Sequence, residues 1–180
     1  RTINDSACCT IIPPMHRSIN IISGQTPCPN TPGDAQQTYW LIEGLCAAGI
    51  DVHLFTFLEV GANTDPELSK ICASISRYPV NKGHRNFSFS VPYAVAKYQN
   101  EQLEKDLATN NYPILIEGLG PCSLAFSKTL ESKKIWVRLL TFAPGYFGYL
   151  QERTKAPLKK LYYQREAVLT KKVLKKIIVI

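Results

Sequence analysis

Four short segments carry residue types able to bind or act on a small polar ligand. The first is Gly24-Gln-Thr-Pro-Cys-Pro-Asn-Thr-Pro-Gly33, followed by Asp34. It separates the apolar run Ile19–Ser23 from a helical pattern beginning at Ala35. A helix N-terminus presents backbone N–H groups without intrahelical partners and a partial positive charge, so it can seat a phosphate or another anion. Gly33 and Asp34 therefore read in two ways, as a tight turn with a helix cap or as a phosphate seat. The second segment is Glu117-Gly118, at the end of an apolar run. Glu117 can accept hydrogen bonds from sugar hydroxyls, act as a base, or cap the helix that follows. The third is Arg138, inside a strand-like run where an unpaired charge is costly. Its partner is either Glu117 or a ligand phosphate. The fourth is the loop Thr141-Phe-Ala-Pro-Gly-Tyr146, which opens on Thr141.

Other chemistries lack their residues. Gly24 and Gly33 stand nine apart with three prolines between them. This is not GxGxxG, so a dinucleotide site is disfavoured. GxxxxGK(S/T) is absent, which excludes P-loop chemistry. The six cysteines are scattered without CxxC or zinc spacing and read as reduced thiols of a cytoplasmic protein. His53 falls in a strand pattern and reads as a strand residue, and His84 lies in a polar loop. No nucleophile–base pair can be assembled from the order of residues, and no metal or cofactor is expected.

The elements that must position these residues alternate. Strand patterns are Ile19–Ser23, Val52–Phe57, Ala73–Tyr78, Ile114–Glu117, Ile135–Leu140 and Ile177–Ile180. Helical patterns are Ala35–Ala48, closed by Gly49, then Pro66–Cys72, Pro92–Leu107, Ser123–Glu131 and Ala156–Lys176. The order predicts an α/β, Rossmann-like doubly wound fold, with a mostly parallel sheet of about six strands and helices on both faces. In such a sheet the loops after the strands meet on one edge, so Gly33, Gly118 and Thr141 are expected on one rim. With 180 residues, 45% of them hydrophobic, the chain has material for one such core. Residues 1–14 read as an extension outside the fold and 15–180 as the domain, because Met15 immediately precedes the first strand pattern. The apolar Ile177-Ile-Val-Ile180 reads as a strand cut short, from which a longer protein is expected.

The net charge of +7 is concentrated: residues 153–176 hold nine Lys or Arg against one acid, Glu166. These charges suit either a solvated helix face or a peripheral site on an anionic membrane. The expected buried stripe opposite them is Leu158, Leu161, Tyr162, Val168, Leu169 and Val173. Without aromatic interleaving or a recognition motif, a nucleic-acid partner is not expected.

Several pieces together resemble one family. They are Pro32-Gly-Asp-Ala-Gln-Gln-Thr-Tyr-Trp40, Gly49-Ile-Asp-Val-His-Leu54, Tyr78-Pro79 with Gly83-His84, and Phe87-Ser-Phe-Ser-Val-Pro-Tyr93. Tyr112-Pro-Ile-Leu-Ile-Glu-Gly118, Val137-Arg-Leu139, Lys159-Lys-Leu-Tyr-Tyr163 and Arg165-Glu166 continue the series. In this order the chain resembles the N-terminal domain of GT-B glycosyltransferases of the family 4 type, in particular bacterial mannosyltransferase-like members of polysaccharide biosynthesis. The resemblance implies a retaining, metal-independent transfer from a nucleotide-sugar donor to a glycan or lipid-linked acceptor. It implies an acceptor-side domain here and a donor-gripping C-terminal domain lying outside this sequence, without which the chain is expected to be inactive. It also implies that Gly33 and the adjoining helix start help to hold the donor diphosphate.

The sequence departs from that pattern at specific places. Gly120 stands where a histidine is usual, and Gln37 where an arginine is common. Leu140, Thr141, Phe142 and Ala143 replace a more polar run. Lost polar groups here mean fewer hydrogen bonds to orient a sugar. The alternative reading is accordingly a non-catalytic remnant or small ligand-binding domain of the same fold.

Overall fold

A computed structural model describes residues 17–31, 33–58, 66–81, 83 and 90–177. Five parallel strands form one sheet in the order β3-β2-β1-β4-β5. They are β1 Arg17–Ser23, β2 Ile50–Leu58, β3 Ser74–Pro79, β4 Ile114–Glu117 and β5 Ile135–Arg138. The helices are α1 Asp34–Ala47, α2 Leu68–Ile71, α3 Tyr93–Ala96, α4 Glu101–Ala108, α5 Ala143–Arg153 and α6 Pro157–Ile177. Two 3-10 segments, Gly120–Phe126 and Lys128–Leu130, connect β4 to β5.

Alternation along the strands builds two cores. Ile21, Val52 and Leu54 face α1 and α2, where they pack with Tyr39, Ile42 and Leu68. Ile22, Phe55, Phe57, Ile114 and Ile116 face the other way, against Leu103 and Leu107 of α4 and Leu124 and Leu130 of the 3-10 segments. A sheet covered on both faces is the expected doubly wound architecture, and near-continuous apolar strands are its signature.

Several boundaries differ from expectation, each for a local reason. β5 ends at Arg138, not Leu140. Its last partner is Glu117, and Gly118, at φ +81, turns the neighbouring chain away while its N–H donates to the Arg138 carbonyl at 2.8 Å. The expected helix over 92–107 is two helices. Asn100 leaves the helical region at φ −152 and its side chain accepts the Leu103 N–H at 3.0 Å, which starts α4 afresh. The segment over 123–131 is 3-10 rather than α, with Pro121 in its first turn and an extended Ser127 dividing it. The loop expected at 141–146 is mostly helix, since α5 begins at Ala143.

Five strands are described rather than about six. Ile177, expected to open the sixth, is the last residue of α6, and 178–180 lie outside the described residues, as do residues 1–14 and His84. The buried side of α6 matches the expected stripe only in part. Leu169 is buried as expected and Tyr162 and Val173 are half-buried, whereas Leu158, Leu161 and Val168 are exposed, and Glu166, Thr170 and Leu174 complete the buried side.

Candidate functional site

The sheet reverses its order of winding between β1 and β4, and the crevice beyond their carboxyl ends is where open α/β sheets take ligands. A cleft of about 250 Å³ lies there. Asp34, Glu117, Gly118 and Thr141 line it, joined by Lys97 and Tyr98 from the turn after α3. Of the other expected site residues, Gly33 sits one position before the lining, at the N-cap of α1, and Arg138 stands behind Glu117.

Each position has a backbone cause. Gly33 holds φ +96 and ψ −142, a region almost restricted to glycine, and a Cβ there would meet nothing within 4 Å. Position 33 itself therefore places no side chain at the α1 N-terminus. Asp34 is the first residue of α1, not its cap, and sits where a carboxylate complements the helix dipole. The Thr141 hydroxyl lies 3.4 Å from its Oδ1, joining the loop after β5 to the start of α1.

Glu117 is engaged with its neighbours. Arg138 Nε donates to its Oε1 at 2.8 Å, and Arg138 Nη2 to its Oε2 at 2.6 Å, the two-pronged geometry of a guanidinium on a carboxylate. The Thr38 hydroxyl of α1 lies 3.2 Å from Oε2 and 2.9 Å from the Asp34 carbonyl. The Glu117 side chain is 1% exposed and that of Arg138 37%. Of the two partners open to Arg138 on sequence grounds, it takes Glu117. Glu117 caps no helix, because the 3-10 segment after β4 has no side-chain cap.

Strand register reveals what residue order concealed. Arg77, Thr56, Ser23, Glu117 and Arg138 are partners in one unbroken row across all five strands. In-register side chains of parallel strands share a face, and this row lies one level beyond Ile21 and Leu54 of the α1-side core. The apolar core thus gives way to a polar layer at the ligand edge. Thr56 and Ser23 are buried within it, and the Thr56 hydroxyl has no partner among the described residues. No motif in the sequence announces this row, because each member comes from a different strand.

Sequence reasoning also missed Tyr98. A Cβ on Gly120 would stand 2.5 Å from the Tyr98 ring, and one on Gly24 3.3 Å. The ring is held against Phe57, with centroids 5.0 Å apart, so it cannot easily withdraw. Tyr98 fills the volume that a side chain at position 120 would need, which is why a glycine fits there. Lys97 Nζ lies 4.8 Å over the same ring and brings a cation to the cleft.

The described residues contain no group of three or more His, Cys, Asp or Glu able to hold a metal ion. Burial pushes the Cys122 and Cys72 thiols up from 9.0 to about 12, so neither is a thiolate near neutral pH. His53 hydrogen-bonds with the Ser74 hydroxyl at 2.8 Å and stacks on Tyr112, as a strand residue rather than a ligand. A larger hollow of about 960 Å³ lies between α4 and α6, lined by Gln99, Glu104 and Lys176 among others. Among the described residues, only at the smaller cleft do the strand-end loops, the switch point and the polar row coincide. Comparison of the chain with protein-family models, curated proteins and solved structures finds no match.

Proposed function

We propose that the chain is the acceptor-side domain of a retaining glycosyltransferase, using a nucleotide-sugar as donor and a glycan or lipid-linked acceptor. The observation that carries this reading is the cleft at the β1/β4 switch point, with the start of α1 at one side and a polar row beneath it. The N–H groups of the first turn of α1 and the Lys97 ammonium suit a diphosphate. The Asp34 carboxylate and Thr141 hydroxyl suit sugar hydroxyls. Glu117, neutralised by Arg138, serves as a rigid floor.

Cleft size supports a shared site. Pockets that bury a whole drug-sized ligand run from roughly 300 to 1,000 Å³. At about 250 Å³ this one accommodates a sugar ring or a diphosphate, not an entire nucleotide-sugar. The rest of the donor then needs a second surface, as in an enzyme that works between two domains.

One observation favours the alternative, a non-catalytic binding domain of the same fold. Leu140 and Ala143 line the cleft beside Thr141, so that wall offers a single polar side chain. Calorimetry of the chain with nucleoside diphosphate-sugars tests the binding, and Asp34→Ala and Lys97→Ala should each weaken it about tenfold. Gly33→Val is a poor probe, since φ +96 makes any side chain strained and its effect on folding would mask that on binding. Absence of saturable binding by the folded chain at millimolar donor would sink the proposal. Binding without sugar transfer when a donor-gripping domain and acceptor are supplied would select the alternative.

A further inference from the structure

The outward face of α6 combines two kinds of residue that folding would normally separate. Leu158, Leu161 and Val168 are 82%, 64% and 51% exposed. With Gln164, Lys171, Lys172 and Lys175, also exposed, they are spaced by three or four residues, apart from the adjacent Lys171 and Lys172. That spacing puts them along one side of the helix. The inward side holds Glu166, Leu169, Thr170 and Leu174, all buried. Glu166 is the only acid between residues 153 and 176, and it is fully enclosed, so the outer face carries no negative charge. The helix has 21 residues and is therefore about 30 Å long.

We propose that this face of α6 docks on an anionic lipid surface. Lysines beside exposed aliphatic side chains are the composition of a helix lying in the plane of a bilayer interface. The ammonium groups meet lipid phosphates and carboxylates while Leu161 and Val168 enter the acyl boundary. No helix among the described residues is long and apolar enough to cross a membrane, so the association is lateral. The aliphatic residues separate lipid from nucleic acid as the partner. A phosphate backbone would use the lysines alone, and a stacked base needs an aromatic ring, which this face lacks. The proposal is independent of the catalytic reading and does not need the cleft to bind a sugar.

The test is co-sedimentation of the full chain with vesicles of phosphatidylserine and phosphatidylcholine at 0.1 M salt. Binding is expected there, little with phosphatidylcholine alone, and a marked loss at 0.5 M salt as the Debye length contracts. Lys171→Ala with Lys172→Ala should weaken binding about 25-fold, at roughly fivefold per lysine. Leu161→Ser with Val168→Ser should weaken it about tenfold while leaving the melting temperature unchanged. No sedimentation with the anionic vesicles overturns the proposal, as does equal binding to neutral ones. Parental vesicle binding by the Leu161/Val168 variant also overturns it, since attraction to any polyanion would then suffice. So does release of bound chain by equimolar duplex DNA, or a dimer in solution that the same variant dissociates.

Discussion

The Arg138–Glu117 pair shows why one residue at the edge of a core constrains many. Glu117 is buried under α1, and a carboxylate there is tolerable only with its charge matched and its oxygens occupied. Removing the guanidinium leaves that carboxylate with the Thr38 hydroxyl alone. Arg138→Ala should therefore cost about 3 kcal/mol, somewhat less than a fully enclosed pair because the arginine is 37% exposed. Arg138→Lys keeps the charge but not the fork, and should cost about 1 kcal/mol. Urea unfolding reads both. If Arg138→Ala unfolds at the parental midpoint, the pair contributes no stability and Arg138 is free for a ligand role instead. The identities of both residues were visible in the sequence, and so was the pairing as one of two options. The Thr38 contact was not, because it joins a helix to a strand 79 residues away.

At the scale of elements, the buried side of α6 is a polar clamp. The Glu166 carboxylate accepts the backbone N–H of Tyr93 at 3.1 Å and of Ala94 at 3.3 Å, which are donors at the start of α3. Arg165 pairs with Glu166 and donates through Nη2 to the Val91 carbonyl at 3.1 Å. A four-residue helix has too few internal bonds to hold itself, so α3 depends on this cap supplied from another helix. The turn that follows α3 carries Lys97 and Tyr98 into the cleft, so α6 helps to shape the site from behind. Glu166→Ala should destabilise the protein by about 3 kcal/mol and speed hydrogen exchange at Tyr93 and Ala94 well beyond the change elsewhere, whereas Glu166→Gln retains one acceptor and should do less. Amides at 93 and 94 that stay as protected as in the parent would show that α3 is held by something else. The lysine-rich pattern of α6 is legible in the sequence, and so is the burial of Leu169, but the buried side is rotated towards Glu166, Thr170 and Leu174. Apolar spacing alone favours burying Leu161 and Val168 as well, and the carboxylate on the buried side has its partner 73 positions distant.

For the whole molecule, one strand ties the two cores together. Ile21 and Ile22 are adjacent, fully buried, and face opposite sides of the central β1. Ile21→Ala and Ile22→Ala should each cost about 2–5 kcal/mol, depending on how far each cavity collapses. Both variants should still unfold in one step, because neither face of the sheet can persist without the strand. The two tryptophans report on different regions, Trp40 on α1 and Trp136 on the edge strand β5. Trp40→Phe and Trp136→Phe backgrounds isolate each signal, and coincident transitions are expected. Separate midpoints for the two probes would show that α1 and the edge strand β5 melt independently.

The amino-acid order was enough to determine the class of fold. Strands buried on both faces must be apolar almost throughout, and crossovers between parallel strands must be helical, so alternation of the two patterns leaves few architectures. It also determined that the loops after the parallel strands share one edge. Tertiary structure alone decided the order β3-β2-β1-β4-β5, the polar row from Arg77 to Arg138, and the filling of the Gly120 space by Tyr98. These depend on register and packing between residues far apart in the chain, where no local periodicity carries information. The breaks at Asn100 and Arg138 fall between these extremes: Asn100 is a capping residue that sequence can supply, but the end of β5 is set by the turn at Gly118 in its neighbour.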